Sequence, residues 1–220
     1  GLGPISAIYQ VIPAEVAVGH KLIGDELYYL YTKWDCFKLL FCSGDETISV
    51  LNYAAGFFFG IYREVLRDDI ILSICRLTDP ATTPVTGQDR SNLTLAHLSE
   101  AIPDSDASLR QTLEEDLKNL KSQIADFRQH RNRRIGHYDL DTRKGHPDAL
   151  LPNLGLNETD DALAAISAFL NRIHQFYDQD ENPYDMGIKA PGSGNTQELI
   201  DFITNEQSLR KYRKEKEFGV

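Results

Sequence analysis

SLRQTLEEDLKNLKSQIADFRQHRNRRIGH, residues 108–137, carries the pattern that decides the fold. Leu109, Leu113, Leu117, Leu120, Ile124 and Phe127 recur at steps of three and four, which lines them along one face of a helix. The positions between them are mostly charged or polar, so the segment predicts a long amphipathic helix with one buried stripe. Carried on at the same spacing, the stripe reaches Arg131, then Arg134 or Ile135, then Tyr138. A guanidinium therefore falls where an apolar side chain is due. A buried charge without a partner costs several kcal/mol, so Arg131 must be paired, face a cleft or lie between copies of the chain. On a purely structural reading its partner is a carboxylate of a neighbouring helix, such as Asp68 or Asp69.

The same period runs outward in both directions, and no alternating strand pattern accompanies it. A first helix is expected from Pro13 to Cys42, with Ile23, Leu27, Leu30, Trp34, Phe37 and Phe41 on one face. A second should run from Glu46 to Leu77. Its middle, Phe57, Phe58, Phe59 and Ile61, is apolar nearly all round and is expected at the centre of the bundle. Asp79-Pro80 ends it, because the residue before a proline resists helical geometry. Residues 80–91 read as a loop, and a short helix follows near Leu93–Ile102. Thr159 with Asp160 and Asp161 suits a helix start, and Leu163, Ile166, Leu170, Ile173 and Tyr177 give that helix a buried face. Residues 178–195 read as a linker, and a last helix is expected from Thr196 to Lys214. The expected fold is all-α: an up-and-down-like bundle of four or five main helices with an appended C-terminal helix. The expected division is a bundle over 1–178, then a linker and helix over 179–220.

The composition fits a soluble globular chain, with 41% hydrophobic and 25% charged residues in 220. The most apolar run, Val50–Tyr62, is too short to cross a bilayer. No basic region precedes Lys21 and the chain opens on Gly, so no signal peptide is read and a cytoplasmic location is expected. Cys36, Cys42 and Cys75 form no paired motif and are expected to fill space in the core.

Net charge is −10, which repels nucleic acid unless a local basic patch exists. Between Lys121 and Lys144 seven basic residues face three acidic ones, a local +4 that leaves −14 for the rest. His130, His137 and His146 lie in the same stretch. Imidazole titrates near neutrality and suits proton transfer. Arginine offers a permanent forked charge that suits a phosphate or its transition state. Arg131 and His137 are six residues apart, so an ideal helix sets them about 120° from each other. Either the helix distorts near Gly136, a weak helix former, or two copies of the chain share one cleft.

Arg131-Asn132-Arg133-Arg134-Ile135-Gly136-His137 resembles the motif of the HEPN superfamily: an arginine, a polar residue that is often Asn, a short gap, then His. The wider pattern is similar to the abortive-infection U-type branch. It includes Trp34-Asp35-Cys36-Phe37, Leu51-Asn52-Tyr53, Ile70-Ile71-Leu72, Arg76-Leu77-Thr78-Asp79 and Asn92-Leu93-Thr94-Leu95. The likeness spans Leu27 to Tyr177. It implies a metal-independent endoribonuclease of a toxin-antitoxin or phage-defence system, working at a composite site between two copies in a homodimer. In that scheme the RNA 2′-hydroxyl attacks the adjacent phosphate. Arg131, His137 and Asn132 would be the catalytic residues, while Arg133, Arg134, His130 and Arg128 would hold the RNA. Neither cofactor nor metal is expected. The implied partners are RNA (tRNA or mRNA), a second copy and a cognate antitoxin protein, with no membrane. A HEPN module that binds RNA or a partner without cutting, or a purely structural helical dimer, fits the same residues. A metal-dependent phosphohydrolase built on His130, His137, Asp139 and His146 is disfavoured, because their spacing matches no metal motif. Asp139 is expected as a helix-end acid, and Arg76 and Asp79, one turn apart, as a local salt bridge.

Overall fold

The structure is a computed structural model that describes residues 12–137, 139–177, 180–186 and 195–218. It is predominantly helical, as the apolar period predicts. Tyr138 and most of the expected linker lie outside the described residues. The elements run α1 (Ala14–Phe41), α2 (Asp45–Leu77), β1 (Thr82–Val85), β2 (Gln88–Ser91), α3 (Leu95–Glu100), α4 (Ala107–Gln123), α5 (Ala125–His130), a π-turn (Arg131–Ile135), α6 (Leu140–Lys144), α7 (Leu156–Phe176) and α8 (Thr196–Phe218). No helix among the described residues is long and apolar enough to cross a membrane.

Two compact units share the long helices: one holds residues up to 29 with 71–186, the other 30–70 with the C-terminal segment. In the first, Leu109, Leu113, Leu117 and Leu120 of α4 are buried, as are Leu163, Ile166, Leu170 and Ile173 of α7. These two stripes pack against each other. Each buried aliphatic side chain contributes about 1.5–3 kcal/mol. Arg172 of α7 fastens the edge of this pair by donating from Nε to Asp116 of α4 at 2.5 Å. Ile23 and Leu27 of α1 and Ile74 and Leu77 of α2 are buried in the same unit. The start of α7 lies earlier than the sequence suggests. Gly155 precedes the first turn and its N–H donates to the Glu158 carboxylate at 3.0 Å, so Thr159 sits inside the helix.

The segment expected as a loop after α2 contains an antiparallel hairpin, with Thr82 opposite Ser91 and Val85 opposite Gln88. Its two-residue turn, Thr86-Gly87, has positive φ at both positions (45° and 83°), the hand that matches strand twist. The strands bury almost nothing, so no apolar alternation announces them.

The second unit has a small core of Leu40, Leu51, Phe59 and Ile200. Here the expectation for the middle of α2 is overturned. Phe59 is 8% exposed, but Phe57 is 87%, Phe58 60% and Ile61 51% exposed. A helix apolar all round still turns only one face to any single core. This unit covers the face of Phe59 and leaves the other open. A kink at Ala55 (φ −164°, ψ 64°) precedes the exposed stretch.

Candidate functional site

The site is built at the end of the helix read first. After α4 the backbone loosens at Ile124 (φ −93°, ψ 14°), then continues as α5 with Phe127 buried. From Arg131 the turns widen. The N–H of Gly136 donates to the Arg131 carbonyl at 2.6 Å, five residues back instead of four. A π-turn of this kind is rare and recurs at functional sites. Gly136 permits the closure: a Cβ there would stand 3.1 Å from the Arg131 carbonyl oxygen. The chain bends at Gly136-His137, and His137 is exposed just beyond the turn that Arg131 opens. The distortion expected near Gly136 is therefore present, and its cause is this extra residue per turn.

Arg131 is paired, though with neither Asp68 nor Asp69. Its Nη1 donates to both oxygens of Asp79, at 2.8 and 2.9 Å, and its Nε donates to the Asn132 side-chain oxygen at 3.1 Å. Asp69 is instead bonded by Lys33 at 2.6 Å. Asp79 also takes Nη1 of Arg128 at 2.8 Å, while Nη2 of Arg128 donates to the carbonyl and hydroxyl of Thr78. Arg128 thus caps the carboxyl end of α2, where a cation is favoured by the helix dipole. Asp79, expected in a local pair with Arg76, is bound across the fold by two arginines from α5 and the π-turn. Arg76 donates to Ser73 at 3.1 Å. Arg131, Arg128 and Asp79 all act on Cys75, which is fully buried. Its thiol is pushed up to about 11, first by burial and against the pull of Arg131 and Arg128.

The other candidate residues divide by exposure. Asn132 and His137 are exposed, while Arg133 and Arg134 are half-buried. Arg133 donates from Nη2 to the Ala149 carbonyl at 3.1 Å and lies 3.7 Å from the Asp139 carboxylate. His130 faces inward, with Nε2 at 2.7 Å from the Pro152 carbonyl, so it tethers the chain after α6. Arg128 and His130 thus meet protein partners where RNA contact was expected of them. Asp139 caps α6, accepting from the Thr142 N–H at 2.8 Å and its hydroxyl at 2.6 Å. Those bonds, helped by Arg133, lower its pKa. Two open depressions on α4, one reaching toward α7, include no motif residue. Among the described residues no cluster of three or more His, Cys, Asp or Glu side chains is placed to hold a metal ion.

Residues 18–190 match the AbiU2 family of HEPN domains. The chain belongs to that family. It is an abortive-infection-related HEPN domain, and the match takes in the whole of the arginine–histidine motif with Asp79 and Arg128. No curated protein and no solved structure matches this HEPN domain. The role of Asp79 is the part of the site that its residue spacing does not reveal. A carboxylate 52 residues from its arginine leaves only one trace, its place at a helix end in Arg76-Leu77-Thr78-Asp79.

Proposed function

We propose that this HEPN domain is a metal-independent endoribonuclease of a phage-defence or toxin-antitoxin system, with Arg131 and His137 as its catalytic residues. The observation that carries the reading is the π-turn, which holds one arginine at its start and is followed, just beyond Gly136, by one histidine exposed to solvent. Arg131 is fixed through Nη1 and Nε, and among the described residues its Nη2 has no protein partner. That edge, on a side chain 26% exposed, is prepared for a phosphate oxygen. In the reaction the 2′-hydroxyl oxygen bonds to phosphorus as the bond to the 5′-oxygen breaks. This leaves a 2′,3′-cyclic phosphate and a 5′-hydroxyl. One imidazole takes the 2′-proton and another gives a proton to the leaving oxygen, so His137 from each copy of a dimer supplies both roles. Asn132 keeps the guanidinium in plane, and Arg133 and Arg134 hold the RNA backbone without reading sequence.

The double grip of Arg128 and Arg131 on Asp79 favours a second reading, in which Arg131 is a strut and the domain binds RNA or a protein partner without cutting it. The purified chain incubated with tRNA and mRNA separates the two. The ribonuclease reading expects cyclic-phosphate ends, abolished by His137→Ala and by 2′-deoxy substitution at the cut. It fails if RNA stays intact, or if His137→Ala cuts as the parent does.

A further inference from the structure

In the second unit, α2 leaves a row of aromatic rings open. Tyr53 is exposed just before the kink at Ala55, and Phe57, Phe58 and Tyr62 are exposed beyond it. Phe57 is the most open of them, and Phe58 stacks on Tyr62 with centroids 6.1 Å apart and planes 5° from parallel. α8 belongs to the same unit, where its Ile200 shares the core of Leu40, Leu51 and Phe59. The basic end of α8 meets the aromatic row. Arg210 forms a side-chain hydrogen bond with Tyr53 and donates through Nε to Glu206 at 2.9 Å. Arg213 and Lys214, three and four residues on, share the face of α8 that carries Arg210, and both are exposed. Of the acids in this stretch, Glu206 is paired with Arg210 and Glu215 with Lys211.

We propose that this surface binds single-stranded RNA, with bases stacked on Tyr53 and Phe57 and the backbone running along Arg210 and Lys214. Open rings flanked by cations are the chemistry that holds a single strand: each ring stacks on a base of any sequence, and each cation pairs with a phosphate. Two features select this ligand. First, an apolar protein partner laid over the rings would strip water from Arg210 beside them and leave its charge poorly paired, whereas a phosphate pairs with it and stays in water. Second, Phe58 and Tyr62 already form a parallel stack, which a base face extends. A duplex hides its base faces, so the strand must be single. Asp68 and Asp69 lie at the far end of the row and repel phosphates, which keeps the backbone at the Arg210 end. The proposal shares its class of ligand with the ribonuclease reading and uses none of that reading's residues.

The full chain is titrated into a fluorescein-labelled 2′-O-methyl RNA single strand of about 20 nucleotides, which spans the usual single-strand sites and has no 2′-hydroxyl to react. Anisotropy should show binding by the parent. Phe57→Leu keeps an apolar side chain but removes the ring, and should weaken binding about tenfold or more, with circular dichroism and Tm unchanged because the side chain is exposed. Its affinity for a duplex of the same length should stay at the parent value. Phe57→Trp should bind as the parent does, and its added emission should be quenched by the strand. Arg210→Ala should reduce the slope of log K against log salt by roughly 0.7, the share of one phosphate. A parent that does not bind the single strand overturns the proposal. So does Phe57→Leu binding as tightly as the parent, the result expected if the row is a dock for an apolar protein surface. An equal loss on the duplex overturns the stacking. Ring-dependent binding by a chain that leaves unmodified RNA intact removes the ribonuclease reading alone.

Discussion

Asp79 holds Arg131 by both carboxylate oxygens, at 2.8 and 2.9 Å from a single nitrogen, Nη1. The pair joins the end of α2 to the start of the π-turn, and Arg128 shares the same carboxylate. Removing the anion leaves two cations side by side in a partly buried place. Asp79→Asn should therefore lower stability by roughly 1–3 kcal/mol, read as a Tm drop of several degrees. If Arg131 is catalytic, the same variant should cut kcat at least about tenfold with little change in KM, because orientation rather than RNA contact is lost. A stability loss with unchanged turnover would mark the pair as a strut.

Gly136 is the residue that lets the widened turn close. A methyl group there meets the Arg131 carbonyl at 3.1 Å, and a backbone atom yields little. Gly136→Ala should cost about 1 kcal/mol by urea unfolding, although alanine is the better helix former. That inverted sign is the check. A stabilised Gly136→Ala chain would show that the turn relaxes to an ordinary helix without strain.

Much of the architecture is legible in the residue pattern because burial and period coincide. The α4 and α7 stripes are buried at the positions their spacing names, and Arg131 stands out because it breaks one of them. Three features escape for physical reasons. The hairpin at 82–91 buries neither face, so alternation has nothing to encode. The middle of α2 is apolar all round, and composition does not distinguish a face packed in a core from one open to a partner. The Asp79 pairing is a contact between distant segments, and one sequence holds no record of which carboxylate meets which arginine. For the same reason His130, drawn into the basic patch by its neighbours, proves to be an inward tether.

Cys75 tests whether the arginine cluster is closed. Its thiol is fully buried and raised to about 11, so the thiolate is scarce at ordinary pH. In the native chain at pH 8, an alkylating reagent should modify Cys42, which is exposed, well before Cys75. Asp79→Asn should speed the labelling of Cys75 by loosening the seam above it. Labelling of Cys75 as fast as Cys42 in the parent would contradict the packing.

His20 and His174 make the fold sensitive to acid. Both rings are fully buried, 4.5 Å apart between centroids. His20 lies 3.0 Å from the Leu170 carbonyl through Nε2, and Asn182 donates to Nε2 of His174 at 3.2 Å. Burial lowers the His20 pKa to about 4, opposed by the Leu170 bond and aided by the neighbouring His174. His174 is lowered too, chiefly by burial and against a bond to the Asp180 backbone. At His20 the unfolded chain takes up its proton near pH 6.5 and the folded chain does not until about pH 4. Stability is therefore full above pH 6.5 and falls as the pH drops toward 4, at up to about 1.4 kcal/mol per pH unit for His20. Below that the His20 loss levels off near roughly 3 kcal/mol. Urea unfolding at pH 7.5 and pH 5 should show this loss in the parent, and His20→Leu should lose distinctly less. An equal pH dependence in both chains would mean that His20 is already protonated in the folded state.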